Sequence, residues 1–398
     1  MKILILPSWY PNRNGKTAGI FFQKQAELLS TNHDVRIMAA EEILSGYRKL
    51  PGKIGSLLKV QHKPTNFYLD QVPKAKLHQF AFDNFAFLSE SRRMNRLADA
   101  YAAYVEQELE GDWMPDIIHA HDTFYGGLVA SRLKTVWKIP YVITSHNPIN
   151  SENWSAFRIA EFRRVLKHAD LVTAVSEFDR ENLLNAGGQD INIKTIGNYI
   201  DDDLFVPVRK IKQEEFHFLY IASTSLRKDF GTIIRSMSIL RNLTELPFKL
   251  KLASVDVRDG ITLEDVRDLV NHYNLNDIVS IESDLALKSG LLPLLQGADL
   301  FVSSSYYETF GVAVAEAMCC GVPAIAADNG GVRDVVQPGI NGSLVPVKSP
   351  DLMAAAILKF MNGELNFDPQ LVRSSIVNRY GTKAYLGKLT SIYENILA

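Results

Sequence analysis

Residues 305–323 read SYYETFGVAVAEAMCCGVP, and the layout of this stretch decides the fold. It follows the short apolar run Leu300–Ser303. A helix is expected to start near Phe310 or Gly311 and to carry Glu316, and a further apolar run, Val322–Ala326, comes next. Strand, loop, helix and strand in that order make a parallel β-α-β unit. In open parallel sheets, ligands bind beyond the carboxyl ends of the strands, where helix N-termini offer N–H groups and the positive end of a dipole. Glu308 lies at such an end. Eight residues at helical rise separate its carboxylate from that of Glu316 by up to about 12 Å along the axis. The span suits an extended ligand with hydroxyls at both ends and phosphates between them, facing the amides of Thr309, Phe310 and Gly311.

The alternation extends in both directions. One set of apolar runs comprises Phe216–Ala222, Phe248–Ala253, Ile278–Ile281, Leu300–Ser303, Val322–Ala326 and Ser343–Val347, with helical segments between them. An earlier set comprises Ile3–Leu6, Val35–Ala40, Asp116–Ala120, Tyr141–Ser145 and Leu171–Val175, interleaved with helical patterns at Ala18–Ser30, Phe124–Trp137 and Glu152–Lys167. Each set predicts a doubly wound parallel sheet with helices on both faces, an α/β class. The polar stretch at about 199–215 is the expected linker, which gives domains at 1–200 and 201–375. From Lys383 to Ala398, Tyr385, Leu386, Leu389, Ile392, Tyr393 and Ile396 recur at helical spacing, so residues 376–398 form a separate C-terminal element with one apolar face to bury.

Bulk properties bound the function. A chain of 398 residues, 46% hydrophobic and 22% charged, suits two ordinary cores. The net charge of −2 excludes general electrostatic attraction to nucleic acid, so any anion is bound locally. The only cysteines, Cys319 and Cys320, are adjacent, which rules out a disulfide framework and favours the cytoplasm. The opening MKILILPSWYPN reads as a first strand, too short for the core of a signal peptide, and no apolar run is long enough to span a membrane. The basic segment 46–64 reads as a solvated loop, and peripheral contact with the inner face of the membrane stays open.

Other strand ends carry polar groups. Asp328–Asp334, DNGGVRD, is expected to make a tight turn and open another helix, and Ala222–Phe230, ASTSLRKDF, places Arg227 and Lys228 after a strand. In the first half, Gly19 sits at a loop-to-helix junction where backbone can approach a phosphate. Alternation puts His119 and His121 on one face of a strand end, and His146 ends the next strand. No supporting acidic ligands accompany the three histidines, so no metal is expected. Helix capping accounts for Ser176, and turn formation for Asn198.

The 305–323 segment, with Phe-Gly after its first Glu and EAM-x-x-G-x-P after its helix, resembles the Glu-x7-Glu motif of the retaining glycosyltransferases of family 4, which have the GT-B fold. That resemblance implies two Rossmann-like domains facing each other across a cleft, with a C-terminal helix crossing back to the first, acceptor-side domain. It implies transfer of a sugar from a nucleotide diphosphate sugar, UDP favoured, with retention, to a glycan, lipid-linked or small-molecule acceptor, without a cofactor. Catalytic roles would fall to His146, Glu308 and Lys228. Binding would involve Gly19, Arg227, Thr309, Phe310, Gly311, Glu316 on the ribose, and His121 on the acceptor side. Ala222–Phe230 resembles the family's Gly-Arg-x-x-x-x-Lys-Gly loop, with Lys228 on the Lys. Ala222, Ser223 and Asp229 stand where the family has Gly, Arg and Gly, so one of its two diphosphate-binding cations is missing. In the family's Gly-Gly-x-Pro-Glu turn, Arg333 and Asp334 replace the Pro and Glu. A nucleotide-sugar epimerase or phosphorylase on the same architecture, and a two-domain solute-binding protein, are the rival readings.

Overall fold

The computed structural model describes residues 1–10, 19–45, 62–64, 75–109, 113–209, 214–257, 260–283 and 288–398. The chain forms two compact units, one of Met1–Ile196 with Leu386–Ala398, the other of Gly197–Tyr385.

In the first unit the strands are β1 (Lys2–Pro7), β2 (Asp34–Ser45), β3 (His62–Pro64), β4 (Lys76–Phe85), β5 (Ile117–His121), β6 (Tyr141–Thr144), β7 (Leu171–Ala174) and β8 (Ile193–Thr195). They make one sheet in the order β3-β4-β2-β1-β5-β6-β7-β8. All neighbours are parallel except β3, which pairs antiparallel with β4. Its helices are α1 (Ile20–Leu29), α2 (Glu90–Glu108), α3 (Leu128–Trp137), α4 (Ala156–His168) and α5 (Glu177–Gly187). Strand alternation sorts the side chains. Leu4, Leu6, Ile118, Ala120, Tyr141, Ile143 and Val172 join a core with residues of α2 to α5. Their neighbours His119, His121 and Thr144 are buried on the opposite face. Burial on both faces is why these strands read as nearly continuous apolar runs.

The second unit carries β9 (Phe216–Thr224), β10 (Phe248–Val257), β11 (Val279–Glu282), β12 (Leu300–Ser303), β13 (Ala324–Ala327) and β14 (Gly342–Val345), ordered β11-β10-β9-β12-β13-β14 and parallel throughout. Its helices are α6 (Phe230–Arg241), α7 (Leu263–His272), α8 (Lys288–Gly297), α9 (Val312–Cys319), α10 (Pro350–Met361) and α11 (Pro369–Tyr380). The last helix, α12 (Thr382–Leu397), starts in this unit and ends in the first. Helix α9 is apolar nearly all round, and Val314–Cys319 are buried, as the pattern of a fully enclosed helix requires.

Several expectations need correction. The 199–215 stretch is not a free linker over its first part. Ile200 and Phe205 are fully buried, the Ile200 amide donates to the Tyr380 carbonyl at 3.0 Å, and the Arg373 guanidinium donates to the carbonyls of Asp202 and Phe205. Asp328–Asp334 opens no helix: Gly331–Asp334 is a single 3-10 turn. Phe124 and Tyr125 do not belong to a regular helix, since Phe124 is extended and Tyr125 has φ 63°. The 376–398 element is two pieces, the end of α11 and all of α12, separated at Gly381. Of the 46–64 segment, 46–61 lie outside the described residues, and His62–Pro64 is the strand β3 rather than loop. Among the described residues no helix is long and apolar enough to cross a membrane, and Cys319 and Cys320 are both buried.

Candidate functional site

Strand order locates the second unit's site. Successive strands leave β9 towards β10 on one side and towards β12 on the other, so the crevice between the carboxyl ends of β9 and β12 is a topological switch point. Lys228 follows β9 and Glu308 follows β12. Their ammonium and carboxylate form an ion pair, with side chains only 14% and 17% exposed. Burial alone would raise the Glu308 carboxyl, but the Lys228 charge and hydrogen bond, with help from Ser305 and Arg227, outweigh it and hold the group below its ordinary value. Glu308 is therefore ionised at neutral pH.

Backbone bonds hold this pair in place. The Tyr220 hydroxyl donates to the Lys228 carbonyl at 2.5 Å and lies 3.0 Å from Ser305 Oγ. Ser304 Oγ donates to the carbonyls of Lys228 and Asp229, and the Tyr306 amide donates to the Arg227 carbonyl at 2.9 Å. The two loops at the switch point are thus tied together. Asp229, where the resemblance expects glycine, has φ 48°, a left-handed conformation that Asp tolerates, and its carboxylate caps α6 through the Thr232 amide.

The Glu308 loop is braced from its other side. Glu308 bridges Gly330 as a parallel strand pair, and a Cβ on Gly331 would lie 2.3 Å from the Glu308 carbonyl oxygen and 2.5 Å from the Thr309 carbonyl carbon. Only glycine permits that approach. Gly311, at φ 98°, is the N-cap of α9 and brings no side chain to its first turn. Phe310 is fully buried, its ring edge-on to Tyr380 at 5.0 Å. Glu316, on α9, is 6% exposed, a buried position for a residue expected at a ribose.

In the first unit the switch point lies between β1 and β5. Gly19 precedes α1 at φ 75°, and a Cβ there would meet the Trp9 carbonyl oxygen at 2.8 Å. The glycine is demanded by chain packing. Phe22, in the first turn of α1, stacks on His121 at 4.4 Å. His121 Nδ1 lies 3.1 Å from His146 Nε2, so one ring donates and the other accepts. Burial, reinforced by His119 and His146, holds His121 well below its ordinary value and therefore neutral. His119 is structural: Nε2 lies 2.7 Å from Thr144 Oγ1, Nδ1 lies 2.6 Å from the Tyr393 hydroxyl, and burial drives its pKa down to about 3. Ser176 caps α5 through the Asp179 amide. Among the described residues no group of three or more His, Cys, Asp or Glu is arranged to hold a metal ion.

Two acidic residues beside the histidines went unassigned in the sequence. Asp122 and Asp179 are 8% and 2% exposed, and burial pushes both carboxyls up to about 7. A visible signal exists for each. Asp122 directly follows the strand-end His121, and Asp179 is the last residue of a Ser-x-x-Asp helix start.

Residues 28–204 match the family described as Glycosyltransferase Family 4, and residues 201–375 match Glycosyl transferases group 1. Among curated relatives, a D-inositol 3-phosphate glycosyltransferase of Kribbella flavida is 24% identical over 264 residues, 61% of this chain and 62% of the relative, so the match spans less than two thirds of that protein. The putative teichuronic acid biosynthesis glycosyltransferase TuaC of Bacillus subtilis is 26% identical over 369 residues, 92% of this chain and 90% of the relative. Among solved structures, Anabaena Alr3699/HepE in complex with UDP superposes with a TM-score of 0.71 at 19% identity, covering 99% of this chain and 100% of that one.

Proposed function

Because the chain belongs to the group 1 glycosyltransferases and has their GT-B fold, with family matches running from residue 28 to 375, we propose that it transfers a hexosyl group from a UDP-sugar to a glycan, lipid-linked or small-molecule acceptor with retention. The observation that carries this reading is the Lys228–Glu308 pair over the β9/β12 switch point. It sets a cation for a diphosphate beside an ionised acceptor for sugar hydroxyls, next to the N-terminus of α9, whose N-cap is a glycine.

Lys228 takes the diphosphate, with Arg227 supplying the charge that the short Ser223 does not. The amides at Thr309, Phe310 and Gly311 face phosphate oxygens, Glu308 receives the sugar hydroxyls and Glu316 the ribose. His146 is assigned to the transferred sugar and His121 to the acceptor. Departure of the diphosphate is then favoured by fixed positive charge and dipoles already in place. No carboxylate is assigned as a nucleophile, so a covalent glycosyl-enzyme is not part of the proposed mechanism. The UDP complex of the Anabaena structure supports uridine over guanosine.

Thermal denaturation with UDP, GDP and their sugars tests the reading. Saturating UDP should raise the melting temperature, because a ligand that binds only the folded state stabilises it. If no nucleotide diphosphate shifts the transition and no UDP-sugar is turned over, the assignment fails.

A further inference from the structure

The turn after β6 carries His146, and its fixing is unusual in costing two buried carboxylates. Asp122 Oδ1 accepts from the His146 amide at 2.9 Å and the Asn147 amide at 3.3 Å, and its Oδ2 accepts from Asn147 Nδ2 at 3.1 Å. Asp179 Oδ1 accepts from Ser145 Oγ at 3.3 Å, while its Oδ2 accepts from the Val175 amide at 3.2 Å. Ser145, His146 and Asn147 are consecutive, so every residue of the turn is held by one carboxylate or the other. Asp122 is held in turn. Its amide donates to the Thr144 carbonyl at 2.8 Å, and its carbonyl accepts from Gly127 at 3.0 Å.

Asp122 also has φ 63° and ψ 158°, a conformation that favours glycine and strains a residue with a Cβ. Glycine there would relieve the strain but remove the carboxylate. A buried carboxylate is itself costly unless several donors meet it. Both penalties fall on one residue, and its side chain spends all its bonds on the segment that presents His146.

We propose that Asp122, backed by Asp179, is a positioning residue for transfer: the two carboxylates fix the Ser145–Asn147 turn so that the His146 ring meets His121 Nδ1 in one orientation. This rests on the assignment of His146 to the transferred sugar. Asp122 acts through His146 and touches no substrate.

The test is a double-mutant cycle on the full chain, read as UDP release from the UDP-sugar turned over fastest, with UDP affinity measured alongside. Asp122→Ala should lower kcat by about tenfold to a hundredfold, the scale on which misplacement acts. KM for the donor and the Kd for UDP should stay within about twofold, because the nucleotide is assigned to the second unit. Asp122→Asn keeps one acceptor oxygen, so it should fall between Asp122→Ala and wild type, and it replaces the alanine variant if that variant does not fold. The decisive comparison is with His146→Ala. A residue acting through His146 adds no further loss once the ring is gone, so Asp122→Ala/His146→Ala should match His146→Ala within about twofold. Multiplying losses, or an unchanged kcat in Asp122→Ala, overturn the proposal. Should His146→Ala match wild type, or no UDP-sugar turn over, the assignment of His146 falls instead, and amide exchange decides the clamp. Loss of protection at His146 and Asn147 in the Asp122 variant, with Ile143 unchanged, supports it; unchanged protection at all three overturns it.

Discussion

Replacing Lys228 by Ala should destabilise the second unit in a pH-dependent way. The substitution leaves Glu308 ionised at a site where burial opposes its charge and only Ser305 and Arg227 still favour it. Removing one partner of a fully buried ion pair costs about 3–5 kcal/mol; here the side chains are 14% and 17% exposed, so water screens part of the loss and about 2–3 kcal/mol is expected. For a unit of this size that is a fall of about 4–12 °C in its thermal transition. In wild type the Glu308 carboxyl is held below its unfolded value of about 4.3, so the pair's contribution is complete above that pH and is lost as the pH falls through the folded value. In Lys228→Ala the carboxyl should instead lie above its unfolded value, and the penalty fades as protonation removes the buried charge. The gap between the two proteins should therefore narrow between about pH 7.5 and about pH 4.5. Calorimetry or chemical denaturation at both pH values measures it, with Lys228→Ala/Glu308→Gln as control. The double variant buries no stranded charge and should be more stable than Lys228→Ala at neutral pH. A loss below about 0.5 kcal/mol at neutral pH, the scale of an ordinary surface substitution, or a gap independent of pH, would refute the account.

Glu316→Ala should weaken UDP binding by about 1.5–3 kcal/mol, the value of a hydrogen bond to a charged acceptor, and calorimetric titration with UDP checks it. Glu308→Gln should slow sugar transfer far more than it weakens UDP binding, since free UDP has no sugar to offer Glu308; steady-state rates set against UDP affinity separate the two effects. Arg227→Ala should lower kcat/KM by about tenfold or more if Arg227 replaces the cation missing at Ser223, and unchanged kinetics would return Arg227 to the solvated surface. Gly331→Ala should disturb the Glu308 loop, because the new methyl has no room against the Glu308 and Thr309 backbone; a drop in both melting temperature and transfer rate is expected, with the second unit's core otherwise intact.

What the sequence disclosed was what local periodicity encodes. Strand β12 and the start of α9 follow from an apolar run, a glycine and a helical repeat, and the pairing of two such sets implies two doubly wound sheets. What it hid depended on partners distant in the chain. The polar stretch 199–215 reads as a linker because its composition is that of one, yet Arg373, more than 160 positions beyond its first part, holds the carbonyls of Asp202 and Phe205 in a partly buried, hydrogen-bonded seam. The DNGG turn looked like a helix start because Asn and Gly begin helices as readily as turns. In the fold Gly331 packs against the backbone of Glu308 and Thr309, and the chain makes a single 3-10 turn there. Strand β4 and helix α2 were not assigned at all: α2 carries Glu and Arg on its outer face and only alanines, Leu97, Val105 and two tyrosines on its inner face, a weak stripe until Phe80 and Phe82 supply the surface it covers. The candidate site divides along the same line. Glu308, Glu316 and Lys228 announce themselves through neighbours within a few positions. The bonds from Asp122 to His146 and from Asp179 to Ser145 join residues 24 and 34 positions apart, through strands that only the sheet brings side by side. A charged residue after a strand signals a site, but what it holds in place is decided by the register of the next strand, and that register is written in the packing of both faces rather than in any one segment.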